Sequence, residues 1–277
     1  MSSELKAGAG DLPKVVLTAD DGAQAEVYLH GGHVTSWKPA AGEERLFLSS
    51  TSEFRSGAAI RGGVPVCFPQ FATFGPLPKH GFVRTLPWAI RHGGANSIAL
   101  QLTESAATLK LWPHAFTTVL TVSIVAQSLL LEFEVTNTGD APFEFTGALH
   151  TYFRVSDVRA TAIEGLSGRR YADRAGGGHV EDVQSESPIA FDGEVDRVYY
   201  DAPERVTIRE ADRMTTVMSR GFPDVVVWNP GPLMGAKMGD LEPDGYRRMV
   251  CVEAAIVGKP IVLEPQAIWR GSQIVMA

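Results

Sequence analysis

The 277-residue chain has two cysteines, Cys67 and Cys251, far apart and each in apolar company. That excludes a disulfide-stapled fold and reads as buried free thiols, the pattern of a reducing compartment, so a cytoplasmic protein is expected. No stretch approaches the roughly 18 uninterrupted apolar residues that a membrane helix needs. The opening MSSELKAGAGD also lacks the basic-then-apolar order of a signal peptide. Positive charge is in deficit, with 25 Lys and Arg against 32 Asp and Glu and a net charge of −7, which argues against nucleic acid or an anionic membrane as partner. The aromatic residues are interleaved with aliphatic rather than basic ones, so base stacking has no support. There is no G-x-S-x-G elbow, Walker A loop, Rossmann glycine pattern or H-E-x-x-H. The closest metal-like spacing is His30-Gly-Gly-His33. With no third ligand at short range, two histidines rarely make a catalytic site, and neither metal nor cofactor is expected.

Helical periodicity is scarce, whereas period-two and short apolar patterning runs the length of the chain. VVLTAD, AEVYLHGGHVTSW, RLFLSS, HAFTTVLTVSIVAQ, SLLLEFEVTNTG, FEFTGALHTYFRV, RVTIRE, TTVMS, VVVWNP, MVCVEAAIV and SQIVMA read as strands. WAIRHGGANSIALQLTES carries a turn between two alternating runs, a hairpin signal. Between them lies a polar, glycine-containing stretch, 167–188, with Gly176, Gly177 and Gly178 in an exposed loop. Many short strands with no Gly/Pro-rich linker predict an all-β protein of stacked antiparallel sheets, one domain over residues 13–277, preceded by a flexible tail over residues 1–12.

Four stretches break this grammar. Residues 60–84, IRGGVPVCFPQFATFGPLPKHGFVR, carry four prolines and four phenylalanines, too irregular for strands and too apolar for a solvated loop. Such a segment suits a pocket wall, and it brings Arg61, Lys79, His80 and Arg84. In GALHTYFRV, alternation puts Leu149, Thr151 and Phe153 on one face and His150, Tyr152 and Arg154 on the other, a ligand surface or a satisfied core histidine. In DRVYYDAP, Asp196 and Arg197 lead a short aromatic strand and could simply pair. In MVCVEAAIV, Glu253 shares a face with Met249 and Cys251, opposite Val250 and Val252. An ionised carboxylate there costs several kcal/mol unless donors meet it. It is either salt-bridged, to Arg247 or Arg248 just upstream, or a general base with a tuned pKa.

The ordered set IRGGVPVCFPQF, LPKHGFVR, GALHTYF, DRVY, VVVWNP and MVCVEAA resembles the aldose 1-epimerase (mutarotase) superfamily, and within it the hexose-6-phosphate branch. The resemblance implies a large antiparallel β-sandwich, the galactose mutarotase-like supersandwich, with sugar held in a groove across one sheet and a metal-free acid/base reaction. Carried over by motif, it makes Glu253 the general base and His150 the general acid, with His80 and Asp196 binding sugar hydroxyls and Arg61 and Arg84 binding phosphate. Lys79 stands where glutamine is frequent in this branch, and either adds a third charge for the phosphate or only preserves a hydrogen bond. Ala254-Ala255 replaces an expected proline and small residue.

The expected partner is therefore a small phosphosugar bound by a monomer, with no nucleic acid and no membrane. The alternatives are an epimerase of unphosphorylated sugars, a non-catalytic sugar-binding protein, or a metal enzyme using His30 and His33.

Overall fold

The computed structural model describes residues 4–277 apart from Ala126. β-branched and aromatic residues recur at alternate positions, so each strand turns one set inward and the other outward. The strands assemble into two eight-stranded sheets and one four-stranded sheet. The larger sheets share an apolar cluster in which Leu149, Phe153, Val225, Val227, Val250 and Val252 of one meet Leu120, Leu131, Phe133 and Val275 of the other. This is the antiparallel β-sandwich expected. No helix among the described residues is long and apolar enough to cross a membrane.

One large sheet positions the functional side chains. Its strands run in the order Val180–Val183, Arg170–Asp173, Val195–Tyr199, Asp224–Asn229, Met249–Leu263, Phe143–Leu149 and Val66–Cys67. The short strand Tyr152–Arg154 pairs with Met249–Leu263 as well. Leu149 lies opposite Ala254 and Tyr152 opposite Cys251, so the residues between them, His150 and Thr151, stand opposite Glu253 and Val252. The row continues through Val226, which pairs with Glu253 on its other side. A second row runs Asp196, Trp228, Cys251, Tyr152.

Three expectations need correction. Part of the segment read as a free tail, Glu4–Ala7, is an edge strand laddered on Pro13–Thr18; residues 1–3 lie outside the described residues. RLFLSS is not a strand but makes isolated bridges, Leu46 to Phe153 and Leu48 to Gly62. Within 167–188, Arg170–Asp173 and Val180–Val183 form a hairpin. The outer strand is exposed at all four residues, so it has no inner face to write into the sequence. Gly176–Gly178 is the exposed turn between them.

Candidate active site

Glu253 and His150 face one another across adjacent strands on the side of the sheet turned away from the main core. The Glu253 Oε1 to His150 Nδ1 distance is 3.2 Å, with both side chains buried. Close as they are, the pair lacks hydrogen-bond geometry, and His150 Nδ1 and Glu253 Oε2 have no hydrogen-bond partner among the described residues. The His150 ring stacks on Tyr152, centroids 4.9 Å apart and planes 9° from parallel, and meets the edges of His80 and Trp228. This packing fixes the imidazole plane while leaving Nδ1 without a hydrogen-bond partner among the described residues.

The wall comes from the irregular segment 60–84. Its path depends on glycines that no other residue could replace. Gly81 has φ +70° and a Cβ there would lie 2.0 Å from the Phe68 carbonyl oxygen; at Gly63, φ +60°, it would lie 2.1 Å from that of Val34. The turn before Gly81 holds His80 at φ 65°. The Ala72 N–H donates to His80 Nδ1 at 3.2 Å, and Cys67 Sγ lies 3.3 Å from the same nitrogen. With Nδ1 accepting, the ring proton belongs on Nε2, a donor available to a ligand. Arg61 donates through Nη1 to the Tyr152 hydroxyl at 2.7 Å and through Nε and Nη2 to Asp240 Oδ2 at 3.2 and 3.0 Å. Arg84 Nη2 donates to the Lys79 carbonyl at 2.9 Å, while its Nε is buried without a partner among the described residues.

All seven residues singled out in the sequence, Arg61, Lys79, His80, Arg84, His150, Asp196 and Glu253, line one cleft of about 250 Å³. Trp228, Phe71, Phe74, Met234 and Met238 complete it with apolar surface. Burial pushes the Glu253 carboxyl well above the usual carboxylate range, and the charge of Asp196 adds to the effect. Burial likewise holds His150 well below its ordinary value, helped by the positive charges of Arg61, Arg84 and Lys79. His80 is depressed by burial and by neighbouring His150. Asp196 is raised to about 6 by burial and by Glu194. Both shifts favour the uncharged forms, carboxylic acid for Glu253 and neutral imidazole for His150.

The upstream arginines do not reach Glu253: Arg248 pairs with Glu242 at 2.7 Å and Arg247 approaches Asp157 at 3.6 Å. Glu253 Oε2 has no hydrogen-bond donor among the described residues; apart from His150, its neighbours on the same face are Cys251, Ala255 and Val226. Arg197 turns away from Asp196 to bind Asp173 at 2.9 Å. His30 and His33 do not converge on a common point. Each Nε2 donates to a backbone carbonyl, of Ala58 at 2.6 Å and Gly62 at 2.7 Å, and burial lowers His33 to about 3. Tyr152 and Asp240, which orient His150 and Arg61, differ in how far the sequence marks them. Alternation already put Tyr152 beside His150, but Asp240 sits in a loop with nothing to distinguish it from other acidic residues.

The profile of the family described as aldose 1-epimerase matches residues 13–275. A protein of Cenchrus ciliaris, provisionally named glucose-6-phosphate 1-epimerase, is 41% identical over 97% of this chain and 86% of its own. One of Escherichia coli (strain K12) with the same provisional name is 41% identical over 84% of this chain and 79% of its own. The crystal structure of a provisionally named mutarotase from Salmonella typhimurium superposes with a TM-score of 0.89 at 34% identity, covering 99% of this chain and 93% of that one. The chain belongs to the aldose 1-epimerase family.

Proposed function

We propose that the protein interconverts the α and β anomers of glucose 6-phosphate and related hexose 6-phosphates by proton transfer between the sugar and the Glu253–His150 pair, with no metal or other cofactor. One observation carries the proposal. A buried carboxyl and imidazole 3.2 Å apart share a cleft with three cations, Arg61, Lys79 and Arg84, in a protein whose net charge is −7. The provisional names of the relatives from Cenchrus ciliaris and Escherichia coli support the same substrate.

Anomer exchange takes a proton from the C1 hydroxyl and delivers one to the ring oxygen. The ring opens to the aldehyde, rotates about C1–C2, and recloses by the reverse transfers. Glu253 is the base and His150 the acid. A carboxylic acid beside a neutral imidazole holds the same single proton as a carboxylate beside an imidazolium, so the working form needs only a shift within the pair. Substrate favours that shift. A phosphate dianion on Arg61, Lys79 and Arg84 offsets the charge that depresses His150, and sugar hydroxyls donate to the Glu253 carboxylate. Guanidinium forks suit phosphate oxygens, while the His80 Nε2–H and Asp196 hold hydroxyl groups. Paired acid/base catalysis at about 10²–10⁴-fold per positioned group matches a reaction that already proceeds in water. With its thiols buried, the protein is taken to work as a cytoplasmic monomer.

The competing substrate is an unphosphorylated aldose, favoured by the fact that Arg61 already has a carboxylate partner in Asp240. NMR magnetisation exchange between anomers distinguishes the two. Glucose 6-phosphate should exchange much faster than glucose at equal subsaturating concentration; equal rates would remove the phosphate assignment.

A further inference from the structure

Behind the cleft lining, beside Glu253 and His150, lies one more donor that proton transfer does not use. Cys251 lies two residues before Glu253 on the same strand and the same face, opposite Tyr152. One ligand atom each from His150, Cys251 and Glu253 lie within 4.8 Å of one another, and all three side chains are buried. Tetrahedral coordination at zinc distances has edges of about 3.5 Å, so side-chain rotation on fixed strands can close the triangle. A second observation points to a ligand there. His150 Nδ1 and Glu253 Oε2 are buried polar atoms without hydrogen-bond partners among the described residues, and such atoms usually mark a missing ion, water or reactant. His150 and Glu253 also line the cleft, which gives a path in from solvent.

We propose that His150, Cys251 and Glu253 form a three-ligand site for a zinc-like divalent cation, and that its occupancy excludes turnover. The donor set chooses the metal: thiolate and imidazole suit Zn²⁺, whereas Mg²⁺ and Ca²⁺ take oxygen. On coordination the Cys251 S–H proton and the Glu253 carboxyl proton leave to solvent as bonds to the metal form, and no electron is transferred. The metal then occupies the lone pairs that would move protons, so zinc competes with substrate. That inhibitory consequence rests on the acid/base function proposed above; the binding site itself does not.

The test titrates the full chain with Co²⁺, whose thiolate complexes absorb in the near ultraviolet, and with Zn²⁺ during anomer exchange, followed by chelator. The expected result is a thiolate-to-cobalt band that Cys251→Ala abolishes and Cys67→Ala keeps. Zinc should inhibit exchange reversibly. Cys251→Ala should exchange anomers at the wild-type rate yet need more than about tenfold more zinc for equal inhibition, since even outer partners cost that much at a metal site. Cys251→Ser, nearly isosteric, provides the same inhibition test if the alanine variant folds poorly. A missing band, a band that follows Cys67, or equal zinc inhibition of wild type and the Cys251 variants would overturn the site. Cobalt binding through Cys251 in a protein without exchange activity would uphold the site and overturn the acid/base function instead.

Discussion

The two faces of the Met249–Leu263 strand obey different rules although their residues alternate along one chain. On the side of the main core, Val250, Val252 and Ala254 pack with Leu149 and Phe153, and the polar intruder Thr151 is fully served. Its hydroxyl donates to Gln273 Oε1, and Gln273 Nε2 donates to the Val252 carbonyl at 3.2 Å. On the cleft side, one residue out of step, Glu253 Oε2 and His150 Nδ1 are just as buried and have no such partner among the described residues. A buried polar group that only stabilises is satisfied inside the protein. Under the proposed acid/base role Glu253 and His150 keep lone pairs for the substrate, at a cost visible in their displaced protonation.

The largest expected effect breaks the cleft side. Glu253→Gln should lower kcat by about 10²–10⁴-fold while sparing stability. The unfolded carboxyl ionises near 4.3, whereas the folded one stays protonated well above that. Folding therefore takes up a proton above the unfolded value, and the group's contribution becomes less favourable as pH rises. Denaturant melts should place the glutamine variant at or above wild type at pH 7–8, with the two converging below pH 4.

On the core side the pattern inverts. Leu149→Ala should cost about 2–5 kcal/mol by denaturant unfolding, with kcat of the folded fraction within a few-fold. A fall in kcat as deep as that of Glu253→Gln would erase the distinction between the faces. Next, Arg84→Ala should raise KM for glucose 6-phosphate by about 10–100-fold, the worth of a charged hydrogen bond, and change kcat far less; Arg61→Ala should act in the same direction. The smallest effect concerns Asp196, raised to about 6. KM for glucose 6-phosphate should fall more steeply as pH rises through about 6 in wild type, where the ionised Asp196 accepts sugar hydroxyls, than in Asp196→Asn, where only the phosphate's own second ionisation near about 6 remains.

Much of this was legible in the sequence. Alternation alone assigned Glu253 with Cys251 and His150 with Tyr152 to one face, because the side-chain period in a strand is two. The proline- and glycine-dense segment 60–84 announced a wall with its cations. The edge strands at Glu4–Ala7 and Val180–Val183 were not readable, since a strand with no buried face carries no apolar alternation. Nor was the protonation of Glu253, which depends on burial and on the charges of Asp196 and Lys79, brought near it from more than fifty residues away in sequence.

The central claim is that Glu253 and His150 act as one proton-transfer unit. The most direct measurement is the anomer exchange rate of glucose 6-phosphate with wild type, Glu253→Gln, His150→Asn and the double variant, all confirmed folded. Residues that act together are non-additive, so the double variant should be no slower than the slower single one. Losses that multiply, or a single variant that retains wild-type exchange, would contradict it.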